Sequence, residues 1–342
     1  MLKDFLAQVV SGQNLGREEA KQAMHIIMSG QASEAQIGAF LTALRIKGET
    51  SIEVTGFAET MRKQAIRIQC SSKQVIDTCG TGGDKKGTFN ISTTVAFVLA
   101  GAGLTVAKHG NRGVSSSCGS ADVLTALGVN VNLPAQAVAR ALDEVKVGFL
   151  YAPLFHQAMK YAAKPRQDLG FRTVFNLLGP LTNPANATCQ LVGVYERSLT
   201  EKVAEALVGL GVQRAMVVHS FDGMDEISTA APTQITEVNH GAIRSYVIDP
   251  LEYGFTPASS QAYQGGSPEK NAAITLAILQ GQRGPKRDIV LLNAAAALLV
   301  ADMAPNLKEG LAIAAASIDS GAALAKLEEL KEFSQREELL LS

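Results

Sequence analysis

The sequence predicts an α/β protein: a small N-terminal helical domain, then a larger α/β domain with a mostly parallel sheet flanked by helices. Three observations carry that prediction. Residues 1 to about 70 show helical periodicity with no strand between the helices; from residue 73 short apolar runs alternate with helical segments; and the tail from residue 293 is helical again, apart from Pro305 and its glycines.

The elements follow in order. REEAKQAMHIIMSG has apolar positions at helical spacing and stops at Gly30. Ser33 with Gln36 forms a capping-box pattern ahead of IGAFLTALRIKG, and Thr50 with Glu53 repeats it before VTGFAETMRKQ. KQVIDTCG reads as a strand entering a glycine-rich loop, with STTVAFVLAGAG as the helix beyond it. LTVAKHGNRG is strand then loop, and SADVLTALGV is a helix. TCQLVGVY and QRAMVVHS are short buried strands separated by the helix LTEKVAEALVGLG. The expected domain division is 1–70 and 71–342.

Composition narrows the function. The 342 residues carry 31 Lys+Arg against 32 Asp+Glu, a formal net charge of −1, which argues against a general nucleic-acid footprint. Cys70, Cys79, Cys118 and Cys189 show no CxxC spacing and read as reduced thiols, neither a disulfide framework nor a zinc site. MLKDFLAQVVSGQ carries early charges and is not a secretory signal; IVLLNAAAALLVADMA is too short and too interrupted to span a bilayer. The expectation is a soluble, cytoplasmic protein that binds neither membrane nor nucleic acid.

The chemistry concentrates in CGTGGDKKGTFNIST, residues 79 to 93. It misses the Rossmann fingerprint, because Lys85 stands where the last glycine is required, and it misses the Walker loop, because Gly87 is followed by Thr88 and not by lysine. Glycines before a helix start still expose N–H groups and a positive dipole end to an anion. A plain strand-to-helix turn capped by Asn90 or Ser92 is the competing explanation. Two more loops favour a site. AKHGNRG brings together Lys108, His109, Asn111 and Arg112; FDGMDEIS supplies Asp222, Asp225 and Glu226. All three loops follow predicted strands, where open α/β sheets bind ligands. N–H groups and Lys108 suit phosphate, and paired carboxylates suit a hard cation such as Mg2+ bridging to it. No nucleophile–base pair is evident.

GTGGD, TFNIST, AKHGNRGVSS, GSADVLTALG, RTVFNLLGPLTNPA and DGMDEIS, in that order and spacing, resemble the anthranilate phosphoribosyltransferase family over nearly the whole chain. The resemblance implies transfer of the phosphoribosyl group of 5-phosphoribosyl 1-pyrophosphate (PRPP) to anthranilate in tryptophan biosynthesis. It also implies a homodimer formed through the helical domain, and that part of 160–185 joins that domain. By position, Gly80, Gly83, Asp84, Thr88, Asn90, Ser92, Thr93, Lys108 and Ser120 would contact PRPP. Gly80, His109, Asn111, His156 and Arg166 would face anthranilate, and Ser92, Asp225 and Glu226 would hold Mg2+. Leaving-group stabilisation would fall to Lys108 and the metal. The chain departs from the family pattern at Lys85, Gln157 and Lys164-Pro165; Pro165 predicts an extended Lys164. A pyrimidine nucleoside phosphorylase of the same fold and a non-enzymatic nucleic-acid-binding relative are the alternatives.

Overall fold

The computed structural model of the chain describes residues 1–113 and 117–341. Val114, Ser115 and Ser116, which end the string AKHGNRGVSS, lie outside the described residues.

Four helices come first: α1 (Leu2–Val10), α2 (Arg17–Met28), α3 (Glu34–Lys47) and α4 (Ser51–Gln64). Both expected capping boxes form, with Ser33 accepting from the Gln36 N–H and Thr50 from the Glu53 N–H. Then follow β1 (Val75–Gly80), α5 (Ile91–Gly101), β2 (Thr105–Gly110), α6 (Ser120–Ala126), α7 (Ala135–Glu144), β3 (Val147–Tyr151), α8 (Ala152–Phe155), α9 (Lys160–Leu169) and α10 (Phe175–Leu181). The chain continues with β4 (Cys189–Gly193), α11 (Leu199–Gly209), β5 (Arg214–Ser220), β6 (Thr233–Asn239) and β7 (Ala242–Ile248). It closes with α12 (Pro268–Leu279), α13 (Pro285–Val300), α14 (Leu307–Asp319) and α15 (Ala322–Leu341). No single helix is long and apolar enough to cross a membrane.

The strands form one sheet in the order β3-β2-β1-β4-β5-β6-β7. The first five are parallel, and β6 and β7 add an antiparallel edge. The sheet is therefore mostly parallel, as the alternating pattern predicts. Its central strands are apolar on both faces. In β5, Met216 and Val218 face the core formed with α5 and α13, whereas Ala215 and Val217 face the core shared with the N-terminal helices and α11. Strand order reverses at β1, with β2 and β3 on one side and β4 on the other. A crevice thus opens beyond the carboxyl ends of β1 and β4, where such sheets bind ligands.

Helices α9 and α10 pack on the N-terminal helices, α9 against α2 and α3, α10 against α4. One expectation fails here. Lys164 is helical and not extended, because α9 carries Pro165 inside it. Ala162 and Pro165 are buried in that packing, and the tertiary contact outweighs the local preference of a residue before proline.

Candidate functional site

The strand ends build the site. Gly80 ends β1 and pairs with Gly193, which ends β4. Both are glycine because the acidic loop lies directly on them. A Cβ on Gly193 would stand 1.6 Å from the Asp225 carbonyl oxygen, and one on Gly80 2.6 Å from Asp225 Oδ2. The glycine loop then turns through left-handed backbone at Gly82 (φ 63°), Gly83 (φ 77°), Lys85 (φ 61°) and Gly87 (φ 64°). Lys85 thus adopts a conformation that costs a non-glycine residue about 1 kcal/mol or more. Repeated left-handed residues turn N–H groups inward and favour anions.

The structure brings the first group of predicted residues together. The Gly82 N–H donates to Asp225 Oδ2 at 3.0 Å. Asp84 Oδ1 accepts from the Lys86 N–H at 3.0 Å, while its Oδ2 is buried without a partner. Burial raises the Asp225 pKa, and Asp84 beside it raises it further. Glu226 is pushed well above the usual carboxylate range by burial and by Asp225, with the Ser92 backbone and Lys108 pulling the other way. Lys108 is 4% exposed and its Nζ donates to the Thr78 carbonyl, whose own hydroxyl donates to the Ser92 carbonyl at 3.0 Å. Ser92 and buried Thr93 occupy the first turn of α5, beneath the loop.

Three crowded carboxylates, one with an orphaned oxygen, form an all-oxygen donor set that fits a hard divalent cation. Among the described residues no three His, Cys, Asp or Glu side chains close into a ready cage.

Other predicted PRPP residues hold the loop's far flank. Thr88 bridges to Gln264. Asn90 begins α5, donates to the Cys118 carbonyl at 3.2 Å and accepts from Asn271 at 2.9 Å. Ser120 opens α6 beneath Gly110, its hydroxyl 3.4 Å from the Asn111 carbonyl.

Lys108 and His109 are successive residues of β2, so their side chains leave the sheet on opposite faces. Lys108 faces α5; His109 faces the helical layer, its Nδ1 3.2 Å from the Gly179 carbonyl. The His109 ring lies 5.1 Å from that of His156. Burial first, then the neighbouring His156, lowers His109 to about 3; burial lowers His156 to about 4. A weak pull from the Thr182 backbone opposes the latter without forming a hydrogen bond. His109 Nε2 and both nitrogens of His156 are buried with no partner. Buried polar atoms left unpaired are costly, so these nitrogens can take up a polar partner.

Arg166 packs 5.1 Å over the Phe175 ring, and only burial perturbs it, so no carboxylate neutralises it among the described residues. Phe175 and Gly179 both belong to α10, which links Arg166 to His109. Asn111 is turned onto its own loop, its Oδ1 accepting from the Arg112 N–H at 2.7 Å. Gln157, the departure beside His156, is exposed and lines a separate groove of about 420 Å³ with Ile66, Pro134 and Leu154. Cys79 is buried, and burial and Asp77 push its thiol far up, so it is no nucleophile.

Sequence reasoning missed several supporting residues. Asp77 accepts from the His109 N–H at 3.2 Å and from Asn183 Nδ2 at 2.7 Å, fixing the end of β2. Arg172 and Tyr195 brace the glycine loop. Asn183 and Arg172 both lie within RTVFNLLGPLTNPA, a string whose polar residues are the available signal.

Comparisons with known proteins give the family. A profile described as the a/b domain of a glycosyl transferase family matches residues 72–324, and its helical bundle domain matches residues 3–65. The anthranilate phosphoribosyltransferase of Moorella thermoacetica is 59% identical over 328 residues, spanning 96% of this chain and 97% of that one. That of Pelotomaculum thermopropionicum is 55% identical over 98% of this chain and 97% of its own. The crystal structure of the Thermus thermophilus enzyme superposes with a TM-score of 0.91 at 41% identity, covering 96% of this chain and 99% of that chain. The Saccharomyces cerevisiae enzyme in complex with PRPP and Mg gives 0.90 at 27% identity, covering 98% of each chain. With this fold, this crevice and these relatives, the chain belongs to the anthranilate phosphoribosyltransferase family.

Proposed function

We propose that this chain transfers the phosphoribosyl group of PRPP to the amine of anthranilate, releasing pyrophosphate, in tryptophan biosynthesis. The observation that carries the reading is the division of labour across the end of β2. Anion-binding N–H groups, Lys108 and the carboxylates Asp84, Asp225 and Glu226 gather on the α5 side. Two neutral histidines with unpaired nitrogens gather on the helical side.

Displacement at the anomeric carbon builds negative charge on departing pyrophosphate and positive charge on the ribose ring. The glycine-loop N–H groups, the start of α5 at Ser92 and Thr93, and Lys108 stabilise the former. Ser92, Asp225 and Glu226 would hold Mg2+, which when bound would supply further charge neutralisation for the leaving pyrophosphate. Gly80, Gly83, Asp84, Thr88, Asn90 and Ser120 line the path of the phosphoribosyl group. Gly80, His109, Asn111, His156 and Arg166 receive anthranilate, Arg166 taking its carboxylate. An arylamine is neutral near pH 7 and attacks without a strong base, so holding amine and ribose in line supplies much of the acceleration. Neutral, buried histidines fit that role because they orient an aromatic ring without adding charge.

The reading includes a helical unit of residues 1–70 joined by part of 160–185. It also includes a homodimer through that unit, where Met1, Val10 and Ile46 stand 82%, 69% and 82% exposed. Four cysteines outside any disulfide among the described residues fit a cytoplasmic, reducing compartment. The test follows anthranilate fluorescence while PRPP and Mg2+ are added in turn. Loss of fluorescence only when both are present is expected; no loss with both present overturns the reading.

A further inference from the structure

We propose that Arg172 is a positioning residue for PRPP, clamping the glycine loop into its anion-binding shape before the ligand arrives. The proposal rests on the function given above. Arg172 Nη1 donates to the Gly83 carbonyl at 3.1 Å, and its guanidinium carbon lies 4.1 Å from the centre of the Tyr195 ring. Tyr195 is held to the same loop, its N–H donating to Thr81 Oγ1 at 3.0 Å, while the Thr81 N–H donates to the Gly193 carbonyl at 2.8 Å. One guanidinium thus ties together the glycine loop, the segment after β4 and its own segment between α9 and α10.

The contact is close. A Cβ on Gly83 would stand 3.8 Å from Arg172 Cδ and Nη1, so the side chain lies against the loop backbone. Across a trans peptide the Gly83 carbonyl and the Asp84 N–H point in opposite directions. Holding the carbonyl on Arg172 therefore turns the Asp84 N–H to the other side, and that N–H has no protein partner among the described residues. The loop's other flank is fixed independently by Gln264, whose Nε2 donates to the Lys86 carbonyl at 2.8 Å, and by the Gly265 N–H on the Gly87 carbonyl at 2.9 Å. Arg172 holds the near flank at the Gly83 carbonyl, next to the Gly82 N–H that donates to Asp225 Oδ2. Only arginine stacks on an aromatic face while donating in its own plane; lysine does one or the other.

The experiment compares Arg172→Ala, Arg172→Lys and Tyr195→Leu with the wild-type protein. It reads hydrogen exchange over residues 81–87 without ligand, KM for each substrate, and Tm. For Arg172→Ala, exchange in that segment is expected to quicken about fivefold while the central strands are unchanged. The PRPP KM is expected to rise about tenfold, the size of one lost hydrogen bond to a charged group, and the anthranilate KM less than about twofold. Arg172→Lys recovers part of the loss. Unchanged exchange over 81–87 together with an unchanged PRPP KM overturns the clamp. If Arg172→Ala loosens the whole fold, Tyr195→Leu decides: selective loosening of 81–87 supports the clamp and its absence overturns it. A wild-type protein that does not consume PRPP overturns the parent function, while exchange over 81–87 still judges the clamp.

Discussion

The imidazole rings of His109 and His156 lie 5.1 Å apart at a tilt of 56°, and shared burial keeps both uncharged near neutral pH. In the unfolded chain each would titrate near 6.5. As pH falls below that value the unfolded chain takes up protons that the folded chain refuses until about 3 for His109 and about 4 for His156. Their contribution to stability is therefore complete above about 6.5 and is lost as pH falls through the folded values. In urea unfolding of ligand-free protein between pH 7.5 and 5 this histidine contribution is set against the opposite one of Asp225 and Glu226, whose raised pKa values favour the fold as pH falls. Relative to wild type, His156→Gln should therefore lower the pH slope of stability by up to about 1.4 kcal/mol per pH unit. An unchanged slope would refute the neutral pair.

Arg166 has an aromatic neighbour in Phe175 but no carboxylate partner among the described residues. A guanidinium in that position can pair with an anion. Arg166→Ala should raise the anthranilate KM at least tenfold, about 1.4 kcal/mol, with the PRPP KM changed less than about twofold. Steady-state kinetics with each substrate varied in turn makes the comparison, and equal effects on both constants would remove Arg166 from the acceptor site.

Asp225 is buried beside Asp84 and Glu226, a cost to the metal-free fold. Asp225→Asn should therefore raise Tm in EDTA at pH 7.5 by about 2 °C, roughly 1 kcal/mol for a chain this long. The same variant should lose about 100-fold in activity at low Mg2+. Calorimetry and a Mg2+ titration of the rate check the two halves separately. A variant that is both less stable and normally active would contradict the crowding of the carboxylates.

Gly193 is a spacing device. A Cβ there would meet the Asp225 carbonyl at 1.6 Å, so backbone must move. Gly193→Ala should cost about 3 kcal/mol in denaturant unfolding and weaken the Mg2+ response by displacing the acidic loop. Gly211→Ala is the control: Gly211 has nothing within 4 Å of a Cβ although its φ is 78°, so only backbone strain of about 1 kcal/mol is expected there.

The sequence by itself determined the helical start, the alternating strands and helices, and the three loops that carry the chemistry. Local rules suffice for those: the capping boxes at Ser33 and Thr50, apolar runs such as AMVV, and glycines before a helix start all act within a few residues. Motif strings then identified the family and supplied the candidate site residues. Tertiary structure alone decided the rest. Lys164 is helical because Ala162 and Pro165 are buried against the N-terminal helices, a contact no neighbouring residue encodes. The hairpin β6–β7 closes the sheet antiparallel although β7 is largely exposed and shows little core periodicity. Gly193 must be glycine because of Asp225, 32 positions away, and Arg172 meets Gly83 across 89. Such pairings depend on which strand lies beside which, and only the folded chain sets that.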